Sequence, residues 1–158
     1  MMSKLKILIF VGCYLPGYKA GGPIRTLANM VERLGDEFNL KIITADRDLD
    51  DTKPYPEIKI DGWNKVGKAE VFYISAKKRS LRGFKNLLYS IEYDVLYLNS
   101  FFSPHFTIKL LLLRRLMLIS YSPLVVAPRV EFSPGALGFK SKRLKKLVYI
   151  AVSKAFGF

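Results

Sequence analysis

The chain has 158 residues, half of them hydrophobic and 13% aromatic, which is enough for one domain with a real core and excludes a disordered segment. A single cysteine, Cys13, excludes an internal disulfide framework, and one Cys with one His excludes a zinc cluster built from those residues. Net charge is +13, but residues 1–61 balance nine Lys/Arg against nine Asp/Glu, while residues 62–158 hold seventeen against four. The whole excess therefore lies in the second part, as expected of a surface that meets phosphates of lipid or nucleic acid, or of a solvated basic face.

The first apolar run spans residues 5–12. Lys4 and Lys6 ahead of it mimic a signal peptide, but the apolar stretch is short and leads into Pro16, Gly21 and Gly22 with no small-x-small cleavage site. Ile7 to Val11 is continuous rather than alternating, the pattern of a strand buried on both faces of a parallel sheet. A glycine-rich loop follows, from Tyr14 to Pro23. Pro23 then suits a first helical position, Ile24, Leu27, Ala28, Val31 and Leu34 fall at helical spacing, and Gly35 closes the helix. A second strand at 40–45 completes a β-loop-α-β unit, for which a right-handed parallel crossover is expected.

Residues 46–62 read as a long irregular loop. Its acidic residues Asp46, Asp48, Asp50 and Asp51 lack the spacing and glycine of a calcium loop and are expected to be solvated. A short strand is expected at 71–75. Lys77, Lys78, Arg79 and Arg82 come next, then a helix running to about Tyr93. Residues 94–98 form another buried strand, ending at Asn99-Ser100. A helix is expected from Pro104 to about Ile119, a strand at 124–127 ending at Pro128-Arg129, a loop at 130–138, and a basic helix from Lys140. The most apolar stretch, 106–126, is interrupted by Lys109, Arg114 and Arg115 and falls short of a membrane span, which takes about 18 uninterrupted apolar residues.

Strands alternating with helices predict an α/β domain, a Rossmann-like open parallel sheet with helices on both faces. In such sheets ligands bind beyond the carboxyl ends of the strands. Those ends carry Gly12 to Gly22, Ala45 to Asp46, Asn99 to Phe102 and Pro128 to Glu131. The Gly21-Gly22 turn permits close approach of a phosphate or sugar, or is a simple strand-to-helix turn. It is followed by no Gly-Lys-Ser/Thr and is not G-x-G-x-x-G, so neither a Walker loop nor a dinucleotide cofactor is indicated. His105, beside Pro104, reads as a cap-region or partly buried structural histidine more than as a catalytic base. Cys13 reads as a small hydrophobe. Arg129 and Glu131 either hydrogen-bond a ligand or pair with each other.

Four strings together carry a resemblance. They are Tyr14-Leu15-Pro16-Gly17 with Gly21-Gly22-Pro23-Ile24-Arg25, then Thr44-Ala45-Asp46-Arg47-Asp48-Leu49, then Leu96-Tyr97-Leu98-Asn99-Ser100-Phe101-Phe102, and Ala127-Pro128-Arg129-Val130-Glu131-Phe132-Ser133-Pro134-Gly135-Ala136-Leu137. In this order they resemble the N-terminal domain of retaining GT-B glycosyltransferases of family four, in the branch that builds bacterial surface polysaccharides. The resemblance implies sugar transfer from a nucleotide-sugar donor to a polysaccharide or lipid-linked acceptor, with no required metal and no cofactor. It places Gly21 and Gly22 against the donor diphosphate and acceptor. It puts Tyr18, Lys19, Arg25, Ser100, Arg129 and Glu131 on the acceptor side. Asn99 stands where many members carry a histidine that contacts the donor sugar, and Val130 stands where the branch commonly has glycine. The donor-gripping Glu-x7-Glu motif of a second domain is not in this sequence. The resemblance therefore leads to the expectation of an incomplete N-terminal domain, inactive alone, with a partner chain as one source of the missing half. It also leads to a cytoplasmic protein held at an anionic membrane surface through 77–85 and 140–156. The alternative is a non-catalytic phosphate- or nucleic-acid-binding Rossmann-like module, although no recognised nucleic-acid motif is present.

Overall fold

The computed structural model describes residues 3–129. Six strands, β1 (Lys6–Phe10), β2 (Asn39–Ala45), β3 (Trp63–Val66), β4 (Ala69–Ile74), β5 (Val95–Leu98) and β6 (Leu124–Val126), form one sheet in the order β3-β4-β2-β1-β5-β6. All neighbours are parallel except β3 and β4. Strand β1 lies at the centre, with Phe10 level with Ile43 of β2 and Leu98 of β5.

The alternation of side chains along each strand divides the core in two. Leu8 and Phe10, Ile43 and Ala45, Phe72 and Ile74, and Leu96 and Leu98 point to one face. There they meet α2 (Leu81–Tyr89) through Phe84 and Leu88, and α3 (Lys109–Arg115) through Leu110, Leu111 and Leu113. Ile9, Val11, Leu40, Ile42, Val71 and Tyr73 point to the other face, where α1 (Gly22–Leu34) docks Leu27 and Val31. Leu8, Ile9 and Phe10 are all completely buried, which is why β1 reads as an unbroken apolar run. The arrangement is a Rossmann-like α/β sheet with helices on both faces.

Several expectations need correction. The short edge strand β3 was not foreseen. It pairs antiparallel with β4 through a tight turn in which Gly67 takes a φ of 56°, a conformation that glycine adopts without a Cβ clash. The helix expected to reach Tyr93 stops at Tyr89, and Ser90 Oγ donates to the Leu87 carbonyl (2.7 Å) at its end. The helix expected over 104–119 is a wide π-type turn at Pro104–Ile108 followed by α3. Met117 takes a φ of 53° beyond its end. Gly35 does close α1, but in ordinary right-handed geometry (φ −67°). The expected loop at 130–138 and basic helix from Lys140 lie outside the described residues.

The largest correction concerns the acidic loop. Asp46 and Asp48 are buried, with 2% and 5% of their surface exposed. They hold the loops at the carboxyl edge together rather than facing solvent.

Candidate functional site

The site is built on the carboxyl edge of the sheet, where β1, β2, β4 and β5 release their loops. After β1 the chain runs through Gly12 and Cys13 into the glycine-rich loop. Gly17 sits against the Tyr55 hydroxyl, the Tyr14 carbonyl and the Asp48 carboxyl carbon, so that a Cβ there would stand 2.2, 2.9 and 3.0 Å from them. Asp48 fixes this loop. Its Oδ2 accepts the N–H groups of Tyr18 (2.8 Å) and Lys19 (3.1 Å), and its Oδ1 accepts that of Leu49 (2.8 Å). Burial alone would raise the Asp48 carboxyl, but these three N–H donors outweigh it and hold the group below its ordinary value.

Gly21 and Gly22 form the opposite kind of position. Gly21 has a φ of 60° and Gly22 begins α1, and a Cβ on either meets no atom within 4 Å. The turn is open on its outer side. Tyr18 is exposed (77%), and the Lys19 ammonium pairs with Asp51. Arg25 is exposed on the first turn of α1, its N–H donating to the Gly21 carbonyl (3.3 Å).

After β5, Asn99 is buried (4%). Its Oδ1 accepts from Arg129 Nε (2.7 Å), and Arg129 Nη2 reaches the Tyr97 hydroxyl (3.3 Å). Its Nδ2 is buried and has no acceptor among the described residues. Buried amide donors are normally satisfied, so this one is unusual. Tyr97 packs with the core on the α1 side of the sheet, so the Tyr97–Asn99–Arg129 group gathers beside the strand that feeds the glycine turn. Arg129 and Ser100 take φ values of 56° and 144°, both in the region that side chains rarely adopt. The Ser100 carbonyl accepts from Thr107 Oγ1 (2.5 Å). The structure thus joins Asn99 to Arg129, while Glu131 lies outside the described residues.

Sequence reasoning missed Asp48, Tyr97 and Arg79. Asp46 lies between two guanidinium groups, Arg47 (2.9 and 3.0 Å) and Arg79 (3.2 Å). The signal was available in part, since Asp46 directly follows β2 at the edge where functional side chains collect. His105 is exposed beside Ser103, whose hydroxyl caps the turn by accepting from the Phe106 N–H (3.1 Å), in keeping with a cap-region residue. Cys13 is half-buried, and burial pushes its thiol up, away from the thiolate a nucleophile needs.

Between the glycine-rich loop and the 46–62 loop lies a cleft of about 550 Å³, lined by Leu15, Tyr18, Asp48, Asp51, Tyr55 and Tyr73 among others. The Tyr73 hydroxyl donates to the Leu15 carbonyl (2.6 Å), and burial pushes its phenol up to about 12. The cleft is thus walled by aromatic rings beside two carboxylates already engaged, Asp48 by backbone N–H groups and Asp51 by Lys19. Among the described residues no helix is long and apolar enough to cross a membrane. Compared with protein-family models, with curated proteins and with solved structures, the chain gives no significant match.

Proposed function

We propose that this chain is the acceptor-side domain of a retaining glycosyltransferase, which moves a sugar from a nucleotide-sugar donor to a polysaccharide or lipid-linked acceptor. The observation that carries the reading is the buried Asn99 amide. Its oxygen is fixed by Arg129, and its Nδ2 has no partner among the described residues. Such a donor is suited to a hydroxyl or carbonyl oxygen of a ligand, because a buried N–H without an acceptor costs roughly 1–3 kcal/mol. Two further features support the reading. The outer side of Gly21 and Gly22 is open to a diphosphate or sugar, and the adjacent cleft offers the exposed Tyr18 ring to stack on a pyranose. In this proposal Asn99 orients the transferred sugar, the glycine turn admits the diphosphate, and Tyr18, Lys19, Arg25, Ser100, Arg129 and Glu131 face the acceptor. The exposed Lys77, Lys78 and Arg82 would hold the protein at the inner face of the cell membrane.

Calorimetric titration with nucleoside diphosphate sugars and with a lipid-diphosphate-linked sugar tests the proposal. Asn99→Ala should weaken binding about tenfold or more, the worth of one hydrogen bond to a buried polar group. Asn99→His, which restores a ring N–H donor, should retain binding. No binding of any of these ligands by the parent chain, or equal binding by Asn99→Ala, would overturn it.

A further inference from the structure

We propose that Arg79, His105 and Lys109 form a phosphate-binding site at the carboxyl edge of the sheet, on the side of α2 and α3. Arg79 follows β4, while His105 and Lys109 follow β5 across the ends of β2 and β1, so the loops of separated strands bring the three together. The Lys109 ammonium donates to the Arg79 carbonyl and to His105 Nδ1 (2.8 Å). Its third N–H has no partner among the described residues, and neither does the buried Arg79 Nε. Among the described residues Arg79 pairs with one carboxylate, Asp46. That single carboxylate is shared by Arg47 and Arg79, and no carboxylate of the described residues pairs with Lys109 or His105.

Among the described residues the cluster therefore holds more positive charge than its surroundings balance. Partial burial, then Lys109 and Arg79, push the imidazole of His105 down. Burial and Arg79 push the Lys109 ammonium down as well. Like charges gathered where solvent is partly excluded are costly unless an anion joins them. A phosphate group supplies several acceptor oxygens and up to two negative charges, which suits a guanidinium, an ammonium and an imidazole together. His105 is exposed, so the approach is open. This site does not depend on the sugar-transfer reading, because a binding module could hold a phosphate there equally well.

His105 is the only histidine, so its imidazole signals in a proton NMR spectrum of the full chain assign themselves. Adding inorganic pyrophosphate should shift those signals saturably and raise the pH at which they titrate. Sodium chloride at matched ionic strength should do neither. Lys109→Gln should weaken the response about tenfold, as loss of one charge-assisted hydrogen bond implies, and Lys109→Arg should retain it. Phosphatidylglycerol vesicles form a second arm. A response to pyrophosphate supports a soluble diphosphate ligand, and a response to the vesicles alone supports a lipid headgroup. Silence in both arms, an equal response to chloride, or an unchanged response in a folded Lys109→Gln variant would overturn the proposal.

Discussion

Asp48→Ala is the most informative single perturbation of the scaffold. The side chain accepts three backbone N–H groups, from Tyr18, Lys19 and Leu49, at 2.8–3.1 Å, and so ties the glycine-rich loop to the loop after β2. A hydrogen bond to a charged group contributes about 1.5–3 kcal/mol, but these N–H groups can partly recover with water once the loop loosens. About 1 kcal/mol for each of the three N–H groups, roughly 3 kcal/mol in all, is the expected loss. At about 2–4 °C per kcal/mol for a chain of this size, Tm should fall by roughly 6–12 °C. The pH dependence is a second readout. The folded carboxyl sits below its ordinary value of 3.8, so its contribution is fully present above that pH and disappears as pH falls through the folded value. The Tm gap between parent and variant should therefore narrow in acid. Thermal melts by circular dichroism across pH 7 to 2 read both effects. A loss below about 1 kcal/mol at neutral pH, or a gap that widens in acid, would refute the assignment of Asp48 as the tie between these loops.

Three other perturbations follow from the same edge. Gly17→Ala puts a methyl 2.2 Å from the Tyr55 hydroxyl and 2.9 Å from the Tyr14 carbonyl, and chemical denaturation should register a loss of about 1–3 kcal/mol. Gly21→Ala should cost about 1–3 kcal/mol through its positive φ, whereas Gly22→Ala, at the start of a helix with open space around it, should be neutral or slightly stabilising. Parallel melts separate that pair, and a large loss in Gly22→Ala would contradict the geometry. Asp46→Ala leaves the partly exposed Arg47 and Arg79 without their shared carboxylate and should cost about 1–3 kcal/mol by urea denaturation, less than for a fully buried pair because water reaches both guanidinium groups.

The strands at the centre of the sheet were legible because their surroundings are uniform. β1, buried on both faces, could only be an apolar run, and the spacing of Leu27 and Val31 could only serve a helix lying on it. The hairpin was not legible. β3 is four residues at a sheet edge, with little burial to enforce a pattern, and its main marker was a single glycine at the turn. The break between the π-type turn and α3 was hidden for a different reason. The same apolar residues suit either a long helix or a short one that ends where the chain must turn toward β6. At the site, position along the sheet edge was readable for Gly21, Gly22 and Asn99, since strand ends can be counted. What each polar group bonds to was not. Asp48 looks solvated in a row of aspartates, and its burial depends on three N–H groups, two of them from a loop 30 residues away. Likewise the sequence leaves Arg129 open between a ligand and its neighbour Glu131, and only the parallel pairing of β5 with β6 shows that it meets Asn99.

The central claim is that a sugar-bearing ligand occupies the carboxyl edge between the glycine turn and Asn99. Two-dimensional amide NMR of the isotope-labelled chain, titrated with a lipid-diphosphate-linked sugar and separately with nucleoside diphosphate sugars, tests it most directly. The Asn99 side-chain amide and the backbone amides of Tyr18, Gly21 and Gly22 should shift first and together, and the Asn99→Ala variant should lose the whole set. Shifts confined to other parts of the sheet, or no saturable shift with any of these ligands, would contradict the claim.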